Sequence, residues 1–195
     1  MKDDADDWGE ATAASVPDDW ADRLLRFWFD DDDASHWFRG GPAFDESVAP
    51  FGPWRELLRH RTPASFLDNV WQALAAVILF DQIPRNLCRG DAEAFATDAL
   101  ALAIARGAVV SGLDKGLSVD ERLFLYLPFE HSETIDDQHE SLRLIGGLGR
   151  PDLLDYAQKH FEVIRQFGRF PHRNAALGRT NRPGEAEAIA TGAQW

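Results

Sequence analysis

The chain has 195 residues, 45% of them apolar, and a net charge of -13; at that size a single core can bury about 70% of the unfolded surface, so one globular domain suffices. The longest apolar run, Ala73 to Phe80, falls far short of the ~20 residues of a membrane helix, and the acidic start Met1-Lys2-Asp3-Asp4 has no signal-peptide core. Cys88 is the sole cysteine, which excludes an internal disulfide and a cysteine-based zinc site and points to a cytoplasmic protein.

Residues 1–16 are acidic, alanine-rich and without apolar period, which predicts a disordered leader before one helical domain over 17–191 and a frayed end at 192–195. Pro17 and Asp18 suit a helix start, and Trp20, Leu24, Phe27 and Trp28 follow at helical spacing, predicting a helix to about Phe29. The run Asp30 to Asp33 repels itself and reads as a solvated turn. Phe44 to His60 forms a second helical stretch that Pro50 and Pro53 interrupt or bend.

Thr62-Pro63 reads as a cap and first residue of a long helix. Its stripe of Leu67, Val70, Leu74 and Val77 ends on Asp81, which carries a carboxylate onto the core face. Pro84 disfavours a helical Ile83, so the helix is expected to stop near Gln82. Asp91 opens the next one, with Phe95, Ala99 and Leu102 on a face that includes Asp98, and its many alanines allow close helix approach.

Ser118-Val119-Asp120-Glu121 has the capping-box pattern for a helix expected to end before Pro128. From Thr134 to Ile145 the stripe Ile135, Gln138, Leu142, Ile145 turns Gln138 inward. Pro151 starts a helix that turns His160 inward and ends at Gly168, and a short helix is expected near Glu185 to Ala190. No segment alternates with period two, so the class is all-α, with about eight helices in antiparallel hairpins. Paired helices with short turns would stack as tetratricopeptide-like repeats do, although no strict 34-residue period is present.

Charge is unevenly spread along this frame. Residues 1–33 hold twelve acids against Lys2, Arg23 and Arg26, whereas Val163 to Gly184 contains Arg165, Arg169, Arg173, Arg179 and Arg182 and no acid. Such an island attracts carboxylates or phosphates, from a ligand or from the protein itself. The acidity of the whole chain argues against nucleic acid.

Asp81, Asp98, Gln138 and His160 interrupt apolar stripes, while Arg85, Asn86, Glu130, His131, Glu133, Arg169, His172, Arg173 and Asn174 follow helix ends. Buried polar groups without partners cost about 1–3 kcal/mol each, so these groups must meet one another or a ligand. In the structural alternative, the acidic loop 130–137 pairs with the basic loop 169–173 while Asn86 and Asn174 cap helix ends.

The binding alternative is a small anion or peptide carboxylate held by Asp81, Arg85, Asn86, Asp98, His131, Glu133, Gln138, Arg169, His172, Arg173 and Asn174, with the guanidiniums gripping oxygens. A catalytic alternative is a hydrolase, metal-assisted or not, with His131, Glu133 or His172 as the working groups. A protein-interaction scaffold with a purely structural polar network is a further alternative. The cofactor is left open and no metal site is assigned, although Asp81, Asp98, Glu133, His131 and His172 form a carboxylate–histidine set without a recognised metal spacing. His131-Ser132-Glu133 lacks the paired cysteines of a zinc deaminase. Arg143 stands where a zincin needs the second histidine after His139-Glu140. Gly146-Gly147-Leu148-Gly149 follows a helix rather than a strand, so it is no dinucleotide loop.

Four strings carry a resemblance: Asp81-Gln82-Ile83-Pro84-Arg85-Asn86, Ala94-Phe95-Ala96-Thr97-Asp98, Leu123 to Glu133, and Phe167-Gly168-Arg169-Phe170-Pro171-His172-Arg173-Asn174. In this order they resemble the bacterial domain-of-unknown-function 924 family over roughly Trp20 to Glu187. The resemblance implies a tetratricopeptide-like helical fold and no established activity. The aspartate run at 30–33 and the acidic leader depart from the family pattern.

Overall fold

The computed structural model describes residues 15–30, Trp37 and residues 41–191. Most of the expected acidic leader, Asp31 to Asp33 and residues 192–195 lie outside these. All regular structure described is helical: α1 (Trp20–Phe29), α2 (Pro42–Ser47), α3 (Gly52–Leu58), α4 (Val70–Val77), α5 (Ile83–Leu87), α6 (Asp98–Val110), α7 (Val119–Glu130), α8 (Ile135–Gly146), α9 (Pro151–Phe167) and α10 (Glu185–Ala190). A π turn, Ile78–Gln82, joins α4 to α5, and the 3-10 turn Ala49–Phe51 lies between α2 and α3. As rods they number eight among the described residues.

The core forms where the apolar stripes meet. α1 packs on α4, α4 on α6 and α7, and α6, α7, α8 and α9 pack each against the next. Leu24, Trp28, Phe66, Phe80, Phe124 and Phe129 are wholly or almost wholly buried, with the Trp28 and Phe124 rings edge-on at 5.5 Å. The alanines of α6 act as expected: Ala101, Ala105 and Ala108 are fully buried. A methyl group added at Gly107 would come within 2.5 Å of the Leu67 side chain, so this glycine permits the close approach.

Four element boundaries differ from the sequence reading, each for a local reason: Asp91 caps only the 3-10 turn Ala92–Phe95, its side chain accepting from the Glu93 N–H at 2.8 Å, and α6 begins at Asp98. Thr62-Pro63 opens only the 3-10 turn Pro63–Phe66 and makes no side-chain cap. The α4 cap is Asn69, whose side-chain oxygen accepts from the Gln72 N–H at 2.9 Å. Pro84 does not end the rod, because Ile83 keeps helical geometry and the chain passes through the π turn into α5. Pro84 has no N–H to offer the Phe80 carbonyl four residues back, and the Thr97 hydroxyl donates to that carbonyl instead, at 2.6 Å.

Likewise α7 runs through Pro128 to Glu130, with residues 123–130 all buried. Packing there outweighs the one backbone bond that proline forfeits. Both prolines therefore lie inside helices whose ends carry polar groups into the core.

Candidate site at the Asp81 carboxylate

The π turn sets Asp81 and Gln82 side by side in the interior, and α5 adds Arg85 one turn on. Asp98 is the first residue of α6, where a carboxylate is favoured by the helix dipole. α7 delivers Glu130 and, at its cap, His131; α9 delivers His160; the loop after Gly168 delivers His172 and Arg173. Gly168 takes φ +69, the left-handed turn that ends α9 and sends the chain back over these groups.

Asp81 has no exposed surface. Its two oxygens lie 2.8 and 2.9 Å from His131 Nδ1, Gln82 Nε2 donates at 2.5 Å, and Arg85 Nη1 stands 3.2 Å away. Burial alone would raise this carboxyl's pKa, but Arg85 and His131 override it and hold the group well below the usual carboxylate range. Arg85 grips Asp98 with two parallel bonds of 2.9 and 3.0 Å, and Arg173 Nη1 reaches the same carboxylate at 3.2 Å. Arg173 also donates to the His131 carbonyl at 3.0 Å. Its guanidinium sits 4.7 Å from the Phe95 ring centre and 4.6 Å from that of Phe170, which fixes its plane.

Burial dominates the titration of this cluster. It lowers Arg173 to about 10, helped by the neighbouring Arg85 charge, and His172 to about 4, helped by Arg173. His131 is also lowered by burial, against the pull of Asp81, which favours its neutral form. Glu130 is pushed up to about 8 by burial and then by Asp81, which keeps it a neutral acid. Its Oε1 lies 3.2 Å from His160 Nδ1, which also meets the Tyr156 carbonyl at 2.9 Å. Burial lowers His160 to about 3.

Several atoms of this cluster lack a hydrogen-bond partner among the described residues. Arg173 Nε and His172 Nδ1 are sealed from solvent without one. His131 engages Asp81 through Nδ1, leaving Nε2 without a partner on a side chain that keeps 15% of its surface exposed.

The other residues singled out in the sequence serve local partners. Arg169 donates to both oxygens of Glu185 at 2.8 and 2.7 Å, and Asn174 and the Arg182 N–H complete that carboxylate at 3.0 and 2.7 Å. Glu133 takes a forked pair from Arg179 at 2.8 and 3.0 Å and the Phe170 N–H at 2.8 Å. Gln138 donates to the carbonyls of Glu130 and Ser132, both at 2.7 Å, which braces the end of α7, and Asn86 donates back to the Gln82 carbonyl at 3.2 Å.

The junction between the 130–137 and 169–173 loops thus forms with different partners from those the strings suggest: Glu133 goes to Arg179, and Asp137 to Arg106 and Ser132. Glu185 and Arg179 went unnamed as site residues. The signal for Glu185 is its place as the first acid after the arginine island. No group of three or more His, Cys, Asp or Glu among the described residues is arranged to hold a metal.

Residues 24–193 match the family described as bacterial proteins of unknown function, DUF924. The chain belongs to this family. A solved structure of a protein of unknown function from Agrobacterium tumefaciens is 36% identical to this DUF924 chain, with a TM-score of 0.82 over 88% of this chain and 97% of the other. No curated protein is significantly similar to it.

Proposed function

We propose that this DUF924 protein binds a small organic acid, as its carboxylate, on the face formed by Arg85, His131 and Arg173. The observation that carries the reading is the Arg173 Nε–H, a buried donor on a pinned guanidinium with no acceptor. A buried donor left unmade costs about 1–3 kcal/mol, and a ligand oxygen would relieve that cost. His131 Nε2, on a side chain that keeps 15% of its surface exposed, and the buried His172 Nδ1 are further unpartnered polar atoms of the cluster. Asp81 and Asp98 already balance the charges of Arg85 and Arg173. Recognition therefore rests on hydrogen-bond geometry more than on net charge, which favours a carboxylate over a multiply charged phosphate. Arg169, saturated by Glu185 and Thr180, braces the loop that presents Arg173.

Titration calorimetry with acetate, inorganic phosphate and a short peptide carrying a free or amidated C-terminus tests this reading. Acetate or the free-terminus peptide is expected to bind, with about tenfold weaker affinity in Arg173→Lys, which keeps the charge but lacks the Nε–H. Heat from neither carboxylate, or an affinity untouched by Arg173→Lys, would overturn it. Binding of the peptide without acetate assigns the site to chain termini.

A further inference from the structure

The geometry points to His131 as a general base for hydrolysis of small carboxylic esters, with Asp81 as its positioning residue; this rests on the carboxylate site above, which would hold the acid product. A carboxylate that meets Nδ1 fixes the imidazole tautomer with the proton on Nδ1 and the lone pair on Nε2. Here both Asp81 oxygens lie within 2.9 Å of His131 Nδ1, and the carboxylate is fully buried, so solvent cannot compete for the contact. His131 Nε2 is left without a partner on a side chain that keeps 15% of its surface exposed, and Arg173, whose Nη2 donates to the His131 carbonyl at 3.0 Å, has a buried Nε–H without an acceptor.

A base and an unused donor on neighbouring residues of one cluster are the two parts that acyl hydrolysis requires. Water bonds to the ester carbonyl carbon as His131 Nε2 takes its proton. The developing oxyanion accepts from the Arg173 Nε–H. The C–O bond to the alcohol then breaks, the leaving oxygen receives the proton from His131, and the acid remains against the guanidiniums. No oxidant, metal or second substrate enters the balance.

The groups around His131 agree with a neutral base. Asp81 and Arg85 face it from the π turn and α5, Asp98 from α6, His160 from α9 at 6.3 Å between ring centres, and His172 and Arg173 from the loop. Arg85 opposes protonation and Asp81 favours it, with burial outweighing both. Glu130, the residue before it on α7, is held as a neutral acid and adds no second negative charge. Glu133 is closed off by Arg179 and the Phe170 N–H, so the carboxylate partner of His131 is Asp81.

Hydrolysis of p-nitrophenyl acetate by the full chain tests the assignment. The rate is expected to exceed background, to rise with pH and level off with a midpoint below 6.5, the ordinary imidazole value, and to fall about a hundredfold in His131→Gln. His139→Gln, on the exposed face of α8, serves as the control and should match wild type. Asp81→Asn is expected to lower kcat more than KM and to move the midpoint further toward acid, which a merely structural loss would not do.

Should His131→Gln fail to fold, carbethoxylation of the wild-type protein replaces it: modification mapped to His131 by mass spectrometry should abolish hydrolysis and be slowed by acetate. A rate no greater than background, equal rates in wild type and His131→Gln, a midpoint above 6.5, or full activity after His131 is modified would each overturn the proposal. Acetate binding that survives in His131→Gln while hydrolysis is lost leaves the carboxylate site standing apart from the base. Hydrolysis without measurable acetate binding shows that the binding reading alone has failed.

Discussion

Two arginine–carboxylate assemblies lie on either side of the loop after Gly168, and they differ in completeness. Around Glu185, four donors meet one carboxylate, which has about four lone-pair positions to offer. Around Asp81 and Asp98, two guanidiniums and an imidazole share two carboxylates, yet Arg173 Nε, His172 Nδ1 and His131 Nε2 make no bond among the described residues. The arginines of both assemblies come from two strings, Pro84-Arg85-Asn86 and Gly168-Arg169 through Asn174, the second of which gives Arg169 to Glu185 and Arg173 to Asp98. The Glu185 carboxylate is saturated and holds the chain in place, and the one buried atom of that assembly without a partner among the described residues is an acceptor, the Asn174 amide oxygen. The Asp81 cluster keeps hydrogen-bonding capacity in reserve, which stabilisation alone does not require.

That contrast is testable, with the largest effect at Asp81. Asp81→Ala strands Arg85 and the His131 ring among buried groups and should lower unfolding free energy by about 3–5 kcal/mol in a urea titration. A loss below ~1 kcal/mol would mean that the cluster is wetter than its geometry indicates. Glu185→Ala should cost about 3 kcal/mol by the same measurement, and the paired change Arg169→Met with Glu185→Leu should recover part of that loss while acetate binding persists. If acetate binding instead disappears in the paired variant, the two assemblies are one.

Acid and base separate the assemblies further. Glu185 is depressed to about 2, chiefly by Arg169, so its contribution is present above its ordinary value near 4.5 and is lost as pH falls through 2. Glu130 is raised to about 8; its contribution is full below 4.5 and is lost as pH rises through 8. Glu130→Gln should therefore remove the alkaline loss and be more stable than wild type at pH 9 by roughly 2 kcal/mol, read from thermal unfolding across pH. The smallest stability effect is expected from Arg173→Lys, about 1 kcal/mol, with most of the acetate affinity gone. A large stability loss with binding intact would reverse the roles assigned to the two assemblies.

Much of the frame was legible where the signal is local. α9 spans Pro151–Phe167 and stops at Gly168, and α10 spans Glu185–Ala190, because proline, glycine and apolar spacing act within a few residues. Ile83 and Pro128 misled because the proline penalty was offset elsewhere, at Pro84 by the Thr97 hydroxyl seventeen residues from the carbonyl it serves. In the site, Asp81, Arg85, Asp98, His131 and Arg173 were marked by interrupted stripes and loop positions. Their pairing was not legible, since the choice of Asp81 over Glu133 as partner of His131 depends on how α4, α7 and the Arg173 loop pack.

The span of those pairings also orders events during synthesis. His131 meets Asp81 across 50 residues, Arg173 meets His131 across 42, and Arg173 meets Asp98 across 75. A nascent chain can form the Arg85–Asp98 fork as soon as α6 has emerged, because only 13 residues separate the two. The aromatic sandwich around Arg173 and its hold on Asp98 must wait until the loop beyond Gly168 has left the ribosome. Until then Asp98 has a free side, and any acid-binding or hydrolytic capacity is absent from the growing chain. The cluster is thus complete only once the last of its contributing segments has folded.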